Sequence, residues 1–339
     1  MKNIKFIVPY YGTFPEYFKE WLYTASKLEN QNVHFLLITD LEMPCAVPNN
    51  FEVQKMSFDE IRELFQKNFD FPIALNSPYK FCDFRPAFGE IFSKYLEDVD
   101  FWGHCDIDMI WGDIRRFITD EVLESNEKIQ YMGHFVLYKN VSKVNSLYKE
   151  SGALSSYREV FSREDFYSFD EHPGIMSIII KHPIKVYIAT NQADFSPAYR
   201  RLFVSRAKNY PYQIFCWCQG HVYRYYLDKN ENVMRDEFMY AHFQKRKMKS
   251  LIDNQNDSFL ITNTGFKFVN INEIDADYIK NRSDYVSAAD DSKALSAYKK
   301  MKICDFLTCS MKKKIIWIKI KMYTRKVNKY FKKVIFQSN

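Results

Sequence analysis

The run Val33-His-Phe-Leu-Leu-Ile-Thr-Asp40 constrains the fold more than any other stretch of this 339-residue chain. It has strand length, and its apolar residues are continuous. A half-exposed edge strand alternates with period two, so a continuous run predicts a strand covered on both faces. Upstream, Asn3-Ile-Lys-Phe-Ile-Val8 alternates and then turns apolar before the breakers Pro9-Tyr10-Tyr11-Gly12. Between the two runs, Phe14, Phe18, Trp21, Leu22, Ala25 and Leu28 fall at helical spacing. Strand, helix and buried strand in succession open a parallel α/β sheet.

The order repeats. Phe51 to Met56 reads as a strand, and Ser57 caps a helix running to about Lys67 with Glu60 at the capping-box position. A second amphipathic helix is expected over Phe84 to Leu96, then a buried strand over Phe101 to Asp106. Gln130 to Tyr138 is strand-like, a helix is expected near Gly174 to Lys181, and Gln213 to Phe243 alternates as antiparallel strands do. After Phe268 the chain turns polar and reads as a mobile linker. The expected organisation is one α/β domain over residues 1–250, a polar linker or accessory region over 251–300, and a basic amphipathic helical tail over 301–339.

Composition narrows the class. Hydrophobic residues at 47% and charged residues at 27% suit a soluble globular protein. The 30 Phe and 24 Tyr build an aromatic core, stacking surfaces for a base or sugar ring, or both. The net charge of +6 is a property of the tail: residues 301–339 hold ten Lys and one Arg against Asp305, a net +10, which leaves −4 for the preceding 300 residues. The first apolar run, Ile4 to Val8, is too short for an export signal, and no stretch approaches the roughly 18 to 20 apolar residues of a membrane span. None of the seven Cys falls in a convincing paired-ligand spacing, so reduced thiols in a cytoplasm are expected.

The chemistry concentrates in Phe101-Trp-Gly-His-Cys-Asp-Ile-Asp-Met-Ile-Trp-Gly-Asp113. Asp-x-Asp by itself is common and is often a solvated surface turn. Here the pair sits in an aromatic, apolar segment, where unpaired carboxylates are costly to bury. Two carboxylates at the carboxyl end of a buried strand stand where open α/β sheets bind ligands. Mg²⁺ or Mn²⁺ prefers such oxygen ligands and keeps positions for phosphates.

Tyr79-Lys-Phe-Cys-Asp-Phe-Arg-Pro86, followed by a helix and by Phe101 to Asp108, resembles bacterial polysaccharide-biosynthesis glycosyltransferases. These are similar in plan to the lipopolysaccharide galactosyltransferase and glycogenin relatives of the GT-A fold. The resemblance covers roughly residues 1 to 250, and it implies a GT-A-like, Rossmann-type mixed sheet flanked by helices. It also implies that Asp106 and Asp108 hold Mn²⁺ or Mg²⁺ and the diphosphate of a nucleotide-sugar donor, with UDP the expected nucleotide. Arg85, and less closely Lys80, would face the donor, with Asp83 beside them in the same motif. Pro9, Tyr10 and Tyr11 would underlie the nucleoside, with Asp40 touching its base or ribose. Met239-Tyr-Ala-His-Phe-Gln-Lys-Arg-Lys247 resembles the late His segment of those enzymes, which implies that His242 completes the metal shell and that Lys245, Arg246 or Lys247 binds the diphosphate. It lacks the relatives' Gly between His and Lys and the Pro-Trp after it. A backbone-satisfied histidine and a solvated charge run therefore remain open there.

Phe169-Asp-Glu-His-Pro-Gly174 precedes an apolar helix. Acids there can cap a helix start. In the implied fold, Asp170 or Glu171 would deprotonate an acceptor hydroxyl or orient the donor sugar. His134, with Gly133 and Phe135, would wall the sugar pocket. The function implied is hexosyl transfer to a glycan or lipid-linked glycan in capsule or lipopolysaccharide biosynthesis. One rival is a nucleotidyl- or phosphotransferase, which calls for a glycine-rich phosphate loop in a chain with only nine Gly. The other is a non-catalytic membrane-surface protein. The tail from Lys312 to Lys333 mixes cations with Trp317, Ile and Tyr. Such a segment lies on anionic lipid, as on the inner face of a cell membrane, or docks as a helix on the domain. No nucleic-acid partner is expected.

Overall fold

The computed structural model describes residues 1–205, 207–244, 246–250, 257–283 and 296. At its centre is a mixed sheet. Strands β1 (Ile4–Pro9), β2 (Val33–Thr39) and β3 (Phe51–Lys55) run parallel, and β4 (Phe101–Cys105) runs parallel to β1 on its other side. The chain then leaves this sheet for β5 (Met109–Trp111) and returns through β6 (Lys128–Ile129) and β7 (Phe135–Lys139). β7 is antiparallel to both β4 and β6, and β8 (Val186–Tyr187) pairs with β6 at the edge. The order is β3-β2-β1-β4-β7-β6-β8. This is the mixed sheet flanked by helices that the resemblance implies.

β2 is covered on both faces, as its continuous run predicts. Val33, Phe35 and Leu37 pack with helix α1 (Phe18–Ser26), while Leu36 and Ile38 pack with helix α2 (Phe58–Gln66) on the other side. The Ser57 and Glu60 capping box starts α2 as expected. Trp21, Trp102, Trp111, Trp217 and Tyr138 are among the largest fully buried side chains, so much of the aromatic excess builds the core.

Three elements differ from expectation. α1 begins at Phe18, not Phe14, because Pro15 disfavours helical geometry at the residue before it. The helix expected over Phe84 to Leu96 is broken into short turns, Phe81–Phe84, Arg85–Ala87, Phe88–Ile91 and Ser93–Tyr95. Pro86 has no N–H to continue it. The strand expected over Gln130 to Tyr138 is β6 and β7 with a loop between them, and that loop carries Gly133 and His134.

A small sheet joins β5 to β9 (Ala193–Asp194). An antiparallel sheet follows, from β10 (Gln213–Cys218), β11 (His221–Leu227) and β12 (Val233–Phe238). β13 (Tyr240–His242) then enters the small sheet, while β14 (Ser258–Ile261) and β15 (Phe266–Phe268) complete the antiparallel one. Ile110, Ala193, Phe195, Phe215, Trp217 and Ala241 share one core that ties the two sheets together. Residues 257–283, read from sequence as part of a polar linker or accessory region, form two strands and a helix packed on these sheets. Even the polar stretch after Phe268 forms a helix, Ala276–Arg282, whose Ile279 packs under Ile214 and Leu260. A few isolated apolar residues suffice for that contact, too sparse to show periodicity. The basic tail, residues 301–339, lies outside the described residues. Among the described residues no helix is long and apolar enough to cross a membrane.

Candidate active site

The small sheet assembles the acidic site. Asp106 and Asp108 follow β4 at its carboxyl end, and Asp108 directly precedes β5. The antiparallel register of β5 and β13 places His242 opposite Met109, and the parallel register of β9 and β13 places Asp194 beside His242. His242 Nε2 lies 3.3 Å from Asp108 Oδ1 and 3.9 Å from Asp106 Oδ2. Its Nδ1 lies 2.8 Å from Asp194 Oδ1. Ligand atoms of Asp106, Asp108 and His242 all fall within 4.8 Å of one another. The three residues expected to share a cation are thus brought together.

Burial opposes a charge on His242, but the charge and hydrogen bond of Asp108, the hydrogen bond of Asp194 and the charge of Asp106 together raise its pKa to about 10. Burial would raise Asp194, yet the hydrogen bond and charge of His242 and the hydrogen bond from Gln244 hold its carboxyl below the usual range. Asp194 was not legible in the sequence, since a two-residue strand has no periodicity to show. His134 stacks on His242 with ring centroids 4.0 Å apart, and its Nε2 lies 3.0 Å from the Tyr240 hydroxyl. Burial, with the neighbouring His242 charge, pushes its pKa down to about 3, so this ring is neutral. His134, expected to wall a sugar pocket, packs against the cluster histidine.

Arg85 is the hub of the other half. Its Nη1 donates to Gly133 O at 2.8 Å and to Asp170 Oδ2 at 3.1 Å, and its Nη2 donates to Asp106. Glu171 Oε1 accepts from Gly133 N at 2.8 Å. A side chain at position 133 would put its Cβ 2.7 Å from Asp170 Oδ2, so only glycine leaves room for this carboxylate. Asp170 is buried, and burial pushes its pKa up to about 7, with Arg85 opposing and Glu171 adding to the rise. Helix Ile175–Lys181 receives no side-chain cap, and Asp170 pairs with Arg85 instead.

Between these groups and the first strand lies a cavity of about 310 Å³. Pro9, Tyr10 and Tyr11 line one side, Tyr79 and Arg85 another, and Asp106 and Asp108 its acidic end. The Tyr11 hydroxyl is buried and has no hydrogen-bond partner among the described residues. Asp40 is exposed at the end of β2 and is not among the lining residues, although its charge acts on Tyr11. Lys80 and Asp83, expected to face a donor, do not line the cavity either. Lys80 Nζ donates to Asp83 Oδ2 at 2.8 Å, to Val160 O at 2.9 Å and to Asp165 O at 2.6 Å. Asp83 accepts from the backbone N–H groups of Tyr167 and Phe169. This buried pair therefore clamps the loop leading to Asp170. Lys245 lies outside the described residues, Lys247 is exposed, and Arg246 donates to the carbonyls of Ser196 and Arg200.

Fold and site together define an α/β protein with a carboxylate–histidine cluster at the carboxyl ends of its parallel strands. The chain belongs to the family described as "Family of unknown function (DUF6625)", whose model matches residues 6–270. No curated protein matches it. Among solved structures it is similar to the galactosyltransferase LgtC in complex with donor and acceptor sugar analogs, at 14% identity over 57% of this chain and 76% of that one, with a TM-score of 0.35. It is similar also to an active-site mutant of LgtC, at 14% identity over 61% and 79%, with a TM-score of 0.36. Likeness at this level bears on neither activity nor substrate.

Proposed function

We propose that this protein is a metal-dependent glycosyltransferase that moves a hexosyl group from a nucleotide-diphosphate donor, UDP foremost, to a hydroxyl of a glycan or lipid-linked glycan. The observation that carries this reading is the convergence of Asp106, Asp108 and His242 at one end of a cavity, with Arg85 joining Asp106 to Asp170. The donor set fits the cation: two hard carboxylates and one imidazole suit Mn²⁺, and Mg²⁺ less closely. A bound cation there supplies a clamp for the diphosphate and offsets the charge that grows as it leaves.

The chain's own residues do the rest. Tyr10 and Tyr11 offer ring faces to the base, and the unpartnered Tyr11 hydroxyl offers it a hydrogen bond. Arg85 holds Asp106 in place and brings a fixed positive charge to the diphosphate end. Asp170, with its pKa raised to about 7, is poised to take the proton of an acceptor hydroxyl or to hold a hydroxyl of the donor sugar. Surface-polysaccharide assembly on the inner face of a cell membrane is the setting proposed, with the basic segment 301–339 on anionic lipid.

Calorimetric titration of UDP, with and without Mn²⁺, into the wild type and Asp108→Ala tests the reading. Metal-dependent binding that disappears in the variant is expected. Binding of GDP in place of UDP would change the donor, and no nucleotide binding with Mn²⁺ present would sink the proposal.

A further inference from the structure

Tyr240 and His242 stand two residues apart on β13 and so share a face, and His134 meets both. Its ring lies 4.0 Å from that of His242 and at 19° to it, while its Nε2 stands 3.0 Å from the Tyr240 hydroxyl. Ligand atoms of His134, Asp194 and His242 fall within 4.8 Å of one another, so these three form a second candidate cation group. The stacking excludes it. A cation binds close to the plane of an imidazole, and an ion in the plane of one stacked ring lies out of the plane of the other. His134 therefore has another role.

The hydrogen bonds around it can run in one direction only. The Ala189 carbonyl accepts and cannot donate, so the Gln130 atom 2.8 Å from it is the amide nitrogen. The same nitrogen lies 3.4 Å from the Gln192 amide, which must present its oxygen there. That oxygen accepts from the Tyr240 hydroxyl at 2.5 Å. Having given its one proton, the hydroxyl can only accept from His134, whose Nε2 must carry the hydrogen. All four side chains are buried. Gln130 stands in the left-handed backbone region, with φ at 66°, a conformation that is costly for a residue other than glycine and persists where the surroundings hold it. Gln130 follows β6 and Gln192 precedes β9, so the chain ties the edge of the central sheet to the small sheet that carries the cluster. We propose that His134 is a positioning residue for His242: anchored through Nε2–H to Tyr240, it lies as a fixed plate on the face of that imidazole and keeps the ring aimed at Asp106 and Asp108. The inference rests on the reading of His242 as a cation ligand.

Two-bond proton–nitrogen correlation spectra of isotope-labelled, metal-free protein read the tautomer of each histidine, and His134→Gln identifies the His134 signals. The wild type should show the His134 proton on Nε2. A proton on Nδ1 alone would overturn the proposal. Tyr240→Phe cuts the chain and keeps the ring. It should leave His134 as a mixture of tautomers and weaken Mn²⁺ binding about 10-fold in calorimetric titration. A tyrosine with a merely structural part would lower Tm and move neither readout, and that result would overturn the proposal too. Gln192→Met cuts the chain one link earlier, with the same two effects expected, and decides the matter should Tyr240→Phe fail to fold. The two readings fail separately. A wild type that takes up no Mn²⁺ defeats the metal-dependent reading of the site and the positioning role with it. A wild type and Tyr240→Phe that bind Mn²⁺ equally defeat the positioning role alone.

Discussion

Asp194 Oδ1 stands 2.8 Å from His242 Nδ1, while Nε2 of the same ring faces Asp108 at 3.3 Å. The imidazole is held between a carboxylate of β9 and one just before β5, so its orientation toward the aspartate pair is fixed before any ligand arrives. A carboxylate on the far nitrogen of a ligating histidine sets its tautomer and raises its basicity.

Asp194→Ala is therefore expected to weaken Mn²⁺ binding about 10- to 100-fold, as measured by calorimetric titration of the ion. Unchanged affinity would remove Asp194 from the centre.

His242 also gives metal binding a pH signature. Its folded pKa of about 10 stands above the ordinary value of 6.5, so at pH 7 to 8 the free site carries a proton on this ring. Ligation requires the neutral imidazole. Mn²⁺ uptake at pH 7.5 should release about one proton, seen as a dependence of binding heat on the ionisation enthalpy of the buffer, and affinity should climb as pH rises toward 10. The same raised pKa stabilises the metal-free fold fully below pH 6.5, and that contribution is lost as pH rises through about 10. A buffer-independent heat would show that His242 is not the ligand.

Lys80→Met leaves the Asp83 carboxylate buried without its partner. A loss of about 3 to 5 kcal/mol in denaturant unfolding is expected, with little change in UDP affinity of the folded protein, because Lys80 does not line the cavity. Were Lys80 a donor contact, the pattern would be reversed: affinity lost and stability kept.

Tyr11→Phe removes a buried hydroxyl that has no hydrogen-bond partner among the described residues. UDP affinity should fall by about 1 kcal/mol, roughly fivefold, with stability unchanged or improved. Asp40→Asn, at an exposed position outside the cavity lining, should change it less.

Where neighbours in sequence decide the outcome, the sequence is readable. The continuous run of β2 announces burial on both faces, the Ser57 and Glu60 spacing announces a helix start, and Asp106 and Asp108 stand out by their apolar surroundings. Where distant strands decide it, the sequence is mute. Nothing local marks Asp194, which matters only because β9 lies parallel to β13. Nothing local shows that His134 stacks on His242, more than a hundred residues away. Lys80 reads as facing a donor because its spacing from Arg85 does not reveal which way a broken helix turns each side chain. Lys128, in a strand of two residues, gave no sign that its amine would be sealed inside the sheet.

The small sheet has a temporal consequence. β1 to β4 can pair as soon as about 105 residues have emerged from the ribosome, and Asp106 and Asp108 follow at once. Their partner strand arrives only at residues 240–242, with most of the antiparallel sheet synthesised in between. During translation the two aspartates therefore wait, unpaired with His242, for well over a hundred residues. The carboxylate–histidine cluster closes only when the second half of the molecule docks, so a chain cut short before that point carries the sequence motif without the cluster it helps to build.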